Sequence, residues 1–219
     1  MAKKKKEEEI SDILALLNSK IEGAEIKRAS DIEGTAYLRR PTGIPGLDYD
    51  LKGGLPRGFH ILLGEKNSGK TFLLYQTCKT AQEVYKEDCK ILIIATEAFD
   101  KDFAKNCGFK VPYTQEEIEI VRRRQKELYG KDLSQKEIDY LKESVGEIHI
   151  VQHGNAETLL QIVLEAAKLN YYHIIGIDSI GGLIPEEEDE KDMGDQSRAA
   201  KARVLKQFTT KMWNIKNTS

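Results

Sequence analysis

The stretch FHILLGEKNSGKT, residues 59–71, decides the fold. Residues 59–63 are an apolar run that predicts a buried strand. Gly64, Glu65, Lys66, Asn67, Ser68, Gly69, Lys70 and Thr71 follow it directly in the pattern G-x-x-x-x-G-K-[ST]. A helix is predicted from about 69 to 86, and its Phe72 is counted with the same binding loop. Strand, glycine loop and helix in that order make an anion cradle. Glycines let backbone N–H groups wrap phosphate oxygens, and the helix turns its positive N-terminal end to the same anion. The pattern gives Lys70 to the β- and γ-phosphates of a nucleotide and the Thr71 hydroxyl to Mg²⁺, so ATP and Mg²⁺ are the expected ligands. At average composition the four fixed positions coincide by chance in roughly one chain in a hundred of this length, so an ordinary glycine turn is the poorer account.

Outward from the loop, strands and helices alternate. Strands are predicted at 90–95, 147–151 and 173–178, and helices at 99–106, 156–169 and about 195–213. ILIIA and HIIGID are continuous apolar runs, as parallel strands covered on both faces require. The class is α/β, a mostly parallel sheet flanked by helices. Between 111 and 144 the rhythm breaks into two charged helices with Gly130 at the turn, read as an inserted hairpin. Upstream, residues 39–58 are a glycine- and proline-punctuated approach to the first strand. Ile10, Ile13, Leu14, Leu16, Leu17 and Ile21 mark an amphipathic helix that Ser11 or Asp12 can cap, and 24–27 could form a short strand. The domain reading is 1–38 as tail, helix and the segment after it, and 39–219 as the core.

Composition limits the function. With 219 residues, 40% hydrophobic, 32% charged and a net charge of −2, the chain reads as globular and not generally basic, so nucleic-acid binding needs a local patch. No apolar run approaches the roughly 18 residues of a membrane span, and no apolar segment follows KKKKEEE to make a signal peptide. A cytoplasmic location is expected, or the host cytoplasm for a phage protein. Cys78, Cys89 and Cys107 form no C-x-x-C pair and read as buried thiols, and His60, His149, His153 and His173 lack metal-ligand spacing.

A phosphate loop of this kind needs one acid to hold Mg²⁺ and another to orient the attacking water, each at the carboxyl end of a neighbouring strand. Asp178 closes HIIGID, and Glu97 follows ILIIAT. A helix cap remains open for Asp178 and a solvated loop acid for Glu97. Asp100 and Phe103 come next and are counted with the nucleotide contacts; an aromatic there could lie on the adenine ring or pack in the core. Past Asp178, Pro185 leads into the acidic run EEEDEKD, and the last helix carries Arg198, Lys201, Arg203, Lys206 and Lys211 around much of its circumference. That helix could meet phosphates or simply be solvated.

With these residues placed, most of the chain resembles the RecA family of strand-exchange recombinases, including phage members of the UvsX type. TGIPGLDYDLKGGLPRG is similar to the family's segment before the first strand, GEKNSGKT to its phosphate loop, ATEAFDKDFAKNCGF to the stretch with its catalytic glutamate and adenine-stacking aromatic, and IIGIDSIGGLIPEEE to its Mg²⁺-aspartate strand and first DNA loop. The resemblance implies Lys70 and Thr71 on phosphate and Mg²⁺, Glu97 on the water, Asp178 on Mg²⁺ and Phe103 on the base. It places Arg203 where the family has an arginine past the first DNA loop. MGDQSRAAKAR keeps a similar GD and A-x-A-R spacing, with Arg198 in place of an apolar residue. AEIKRA resembles the element that docks on the next subunit of a filament.

The implied function is a DNA-dependent ATPase that forms filaments on single-stranded DNA and pairs it with double-stranded DNA in recombination and repair. Two departures stand out. The hairpin lies where relatives have a short connection, and Ser219 falls where they begin a strand that lies between the phosphate-loop strand and the Asp178 strand. The expectation is an incomplete core with two unpaired inner edges, the first part of a split or longer protein. Two alternatives stay open: a helicase or KaiC-like motor, although the latter usually has paired glutamates where this chain has Thr96 and Glu97, and a nucleotide-binding partner without turnover.

Overall fold

The computed structural model describes residues 13, 15–20, 26–27, 39–189 and 198–218. Two units divide the chain, Met1–Leu38 and Arg39–Ser219. In the first, residues 15–20 are helical, and the Asn18 side chain makes two bonds to Ile26, donating to its O at 3.1 Å and accepting from its N at 2.6 Å. The expected caps Ser11 and Asp12 and most of the expected 24–27 strand lie outside the described residues; Ile26 and Lys27 are not in a strand.

The second unit opens with β1 (Arg39–Arg40) paired antiparallel to β2 (Leu55–Pro56), with α1 (Pro45–Asp50) between them. The sequence reading gave this stretch no regular elements. Pro45 fits the first helical turn, where no N–H is needed. The Asp48 carboxylate gathers the preceding turn by accepting from Thr42 N, Thr42 Oγ1 and Gly43 N at 2.7, 2.8 and 3.1 Å. Then follow α2 (Lys70–Tyr85), β3 (Lys90–Ala95), α3 (Lys101–Asn106), α4 (Gln115–Tyr129), α5 (Gln135–Lys142), β4 (Glu147–Val151), α6 (Ala156–Leu169), β5 (Ile174–Asp178) and α7 (Arg198–Thr218).

β3 is the centre of a three-stranded parallel sheet in the order β4-β3-β5, with Ile93 opposite Ile150 on one side and Gly176 on the other. Its side chains alternate between two cores, as the period of a strand dictates. Ile91, Ile93 and Ala95 pack with Tyr75, Cys78 and Ala81 of α2 and with Phe109. Leu92 and Ile94 pack with Leu159, Leu160 and Val163 of α6 and with Phe208 of α7. Burial on both faces explains the unbroken apolar run. A Cβ on Gly176 would lie 2.9 Å from Leu74 Cδ1, so α2 seats against β5 at that point.

The strand expected at 59–63 does not form. Its residues are apolar enough for a sheet, yet a strand also needs a neighbour's N–H and C=O groups. Both edges of β3 are taken, β5 pairs on one side only, and the segment has no ladder partner among the described residues. Ile61 is 52% exposed and Leu63 90%, although Phe59 meets the Phe208 ring edge-on at 5.8 Å. The core is incomplete in the way that an absent intervening strand predicts.

The hairpin forms as two helices. Thr114 with Glu117 and Ser134 with Glu137 make reciprocal capping boxes, and Gly130 ends α4 in the left-handed region. It is fastened to α3 by Lys101 on Glu117 at 2.7 Å and Lys105 on Tyr140 O at 2.9 Å, while Ile118 is buried beneath it. The last helix, expected over about 195–213, runs to Thr218, with 195–197 outside the described residues. All three cysteines are buried thiols. Among the described residues no helix is long and apolar enough to cross a membrane.

Candidate nucleotide site

Residues 64–69 form an exposed loop ahead of α2. Ser68 N donates to Glu65 O at 3.2 Å, and Gly69 caps the helix at φ 90°, a conformation that favours glycine. A Cβ on Gly64 would come within 2.5 Å of Ser68 Oγ, so the backbone folds tightly at the loop's start. The Lys70 ammonium lies back over the loop, donating to Gly64 O at 3.0 Å and Glu65 O at 2.6 Å. Thr71, half-buried, and Phe72, exposed, stand in the first turn, where helical N–H groups have no intrahelical acceptor. A positive side chain, a helix N-terminus and a tight loop thus share one place.

The two candidate acids leave neighbouring strands at the same end. Asp178 is the last residue of β5, in register with Ala95 of β3, and Thr96 N donates to Asp178 O at 2.9 Å. Glu97 follows, exposed. The Asp178–Ser179 peptide is cis. The loop and β5 are tied through α2, whose Leu74 lies on Gly176 and whose Tyr75 is buried. Burial first, then the charges of Asp178 and Asp100, hold the Tyr75 phenol above its ordinary range.

Asp100 caps α3, accepting from Phe103 N at 2.8 Å. Phe103 is 38% exposed and lies against Tyr75 with ring centres 5.8 Å apart, so it both closes the core and shows a face outward. Two basic residues of α7 are engaged locally. Lys201 donates to Gly181 O at 2.6 Å, and Arg203 pairs with Glu187 at 2.5 Å; Arg198 begins the helix, its side chain outside what is described. Among the described residues no three His, Cys, Asp or Glu side chains are grouped as a metal site.

Two residues escaped the sequence reading as contributors. Nothing in the spacing of Tyr75 marks it. Thr96 carried a usable signal, a hydroxyl placed directly before the acid at the end of a buried strand.

Comparison with known proteins bears on the fold. Residues 40–214 match the family model described as "ATPase: KaiC", well over half of the chain. The chain belongs to the RecA-like family of KaiC-type ATPases. It is 26% identical to Protein RecA of Chloroflexus aggregans over 210 residues, covering 94% of this chain and 50% of that protein. Protein RecA of Porphyromonas gingivalis is 28% identical over 186 residues, 84% of this chain and 44% of that protein. Protein RecA of Roseiflexus castenholzii is 28% identical over 174 residues, 78% and 39% respectively. The chain therefore spans half or less of the length of these curated relatives.

Proposed function

We propose that this chain is the nucleotide-binding part of a DNA-dependent ATPase of the recombinase kind. It binds ATP with Mg²⁺, assembles with further copies on single-stranded DNA in the cytoplasm, and serves pairing with double-stranded DNA in recombination and repair. The observation that carries the reading is the seating of Lys70 on the 64–69 loop, with Asp178 and Glu97 at the ends of two adjacent parallel strands. The names of the RecA relatives support the DNA half of it.

The residues fit the metal. Thr71 and Asp178 offer two hard oxygen donors, which is what Mg²⁺ takes from a protein when phosphates and water supply the rest. A Mg²⁺ held by these two side chains would neutralise phosphate charge. Lys70 neutralises the β- and γ-phosphates, with the loop N–H groups of 64–69 around them. Glu97 accepts a hydrogen bond from the attacking water and orients it. Phe103 offers its outward face to the base, and Asp100 acts by holding α3 in place. Arg198, Lys201 and Arg203 meet DNA phosphates, which makes binding steeply salt-dependent.

A second reading, a KaiC-type or helicase motor, is favoured by the description of the matched family. A third, nucleotide binding without turnover, is favoured by the unpaired 59–63 segment that leads into the loop. ATP turnover with and without single-stranded DNA separates them, with Lys70→Ala and Glu97→Gln as controls. DNA-stimulated hydrolysis lost in both variants supports the proposal. Nucleotide binding without turnover in the presence of DNA refutes it for this chain, and rings without DNA under the electron microscope point to the motor.

A further inference from the structure

Thr96 joins the two acid-bearing strand ends by more than the sheet ladder requires. Its N–H adds a rung beyond the last β3–β5 pair by donating to Asp178 O at 2.9 Å. Its hydroxyl then engages both backbone groups of one residue on the facing strand end, donating to Ser179 O at 2.8 Å and accepting from Ser179 N at 2.9 Å. A hydroxyl has one proton to give and lone pairs to receive with, so both bonds are made together. Gly182 N donates to Ser179 O as well, at 3.2 Å. A Cβ on Gly182 would lie 2.3 Å from Thr96 Oγ1 and 2.9 Å from Thr96 Cβ, so the turn after Ser179 closes over this hydroxyl only with glycine there.

We propose that Thr96 is a positioning residue of the nucleotide site: its hydroxyl clamps Ser179 and thereby fixes the Asp178 carboxylate relative to Glu97. The clamp is a feature of the fold; its consequence for Mg²⁺ and turnover rests on the ATPase reading above. The competing account is that a β-branched residue simply suits a strand end. Valine separates the two, because it keeps the shape and the strand preference and removes only the hydroxyl. Serine does the reverse.

The test compares wild type, Thr96→Val and Thr96→Ser in three measurements on the full chain: amide exchange of Ser179, affinity for a fluorescent ADP analogue in Mg²⁺ and in EDTA, and kcat against KM for ATP. Losing the clamp speeds Ser179 exchange by about tenfold, the usual worth of one hydrogen bond. The valine variant keeps its affinity in EDTA, loses about tenfold of the tightening that Mg²⁺ gives, and loses kcat while KM holds. Serine restores all three. The proposal is overturned if valine matches wild type in Ser179 exchange and in the Mg²⁺ effect, or if serine behaves like valine. Should wild type bind no nucleotide, the ATPase reading fails, and Ser179 exchange alone decides: faster in valine and restored in serine upholds the clamp, and unchanged exchange sinks it.

Discussion

Asp100 is the sharpest place to separate a structural role from a ligand contact, because sequence reasoning gave it to the nucleotide and the structure gives it to α3. Its Oδ1 accepts from Phe103 N at 2.8 Å, the defining bond of an N-cap, on a helix of only six residues. Replacing it with alanine removes that acceptor and costs about 1 kcal/mol, whereas asparagine caps about as well as aspartate. For a unit of this size 1 kcal/mol lowers Tm by about 2–4 °C. The expected series by circular dichroism is a drop of that size for Asp100→Ala and little change for Asp100→Asn. Nucleotide affinity should follow the cap, since loosening the first turn of α3 releases Phe103 from Tyr75: weakened in the alanine variant, retained in the asparagine variant. Equal loss of affinity in both, with Tm unchanged, would refute the argument and return the carboxylate to the nucleotide.

Three further outcomes follow from particular contacts. Backbone amides of 60–63, without ladder partners, should exchange within the dead time of a hydrogen-exchange experiment, while those of 91–94 need opening of the core and survive at least a thousandfold longer; comparable protection of the two segments would contradict the unpaired strand. Burial pushes the Cys89 thiol up to about 11 and raises Cys78 and Cys107 as well, so each is protonated at pH 8, and a disulfide reagent should label none in the folded chain and all three in denaturant. The Arg203–Glu187 pair is exposed on both sides and worth at most about 1 kcal/mol, so under the DNA reading Glu187→Gln should tighten single-stranded DNA binding by up to about fivefold; weaker binding would count against Arg203 as a phosphate contact.

Much of this was legible in the sequence because it is local. The period of ILIIA announces a strand buried on both faces, and the chain supplies α2 on one side of it and α6 with α7 on the other. Thr114 with Glu117 and Ser134 with Glu137 spell out helix starts that the structure uses. What failed depends on partners far along the chain. The 59–63 run has the composition of a strand, but composition cannot supply the neighbour whose hydrogen bonds define one. In the same way, nothing local in the sequence marks Lys105. In the fold it is 6% exposed, set between the Tyr113 and Tyr140 rings and bonded to Tyr140 O, and desolvation lowers its pKa. The α7 bases could meet phosphate or simply be solvated on the sequence alone, while the folded chain spends Lys201 and Arg203 on Gly181 O and Glu187.

The candidate site is consequently held unevenly, and under the proposed function that bears on which activity the chain can sustain. Asp178 ends β5 within the β3–β5 ladder, and the Thr96 bonds hold Ser179 directly after it. The 64–69 loop is anchored from one side, through α2 resting on Gly176, because the segment that enters it is paired with nothing among the described residues. Gripping phosphate needs the loop's own N–H groups, Lys70 and the start of α2, all of which travel together. In-line attack needs the loop and the acids held within a fraction of an ångström of each other, and a misplacement of about 1 Å costs on the order of a hundredfold in rate. Under the proposed function, nucleotide affinity therefore tolerates the unpaired segment, and turnover is the property that a paired strand at 59–63 would raise.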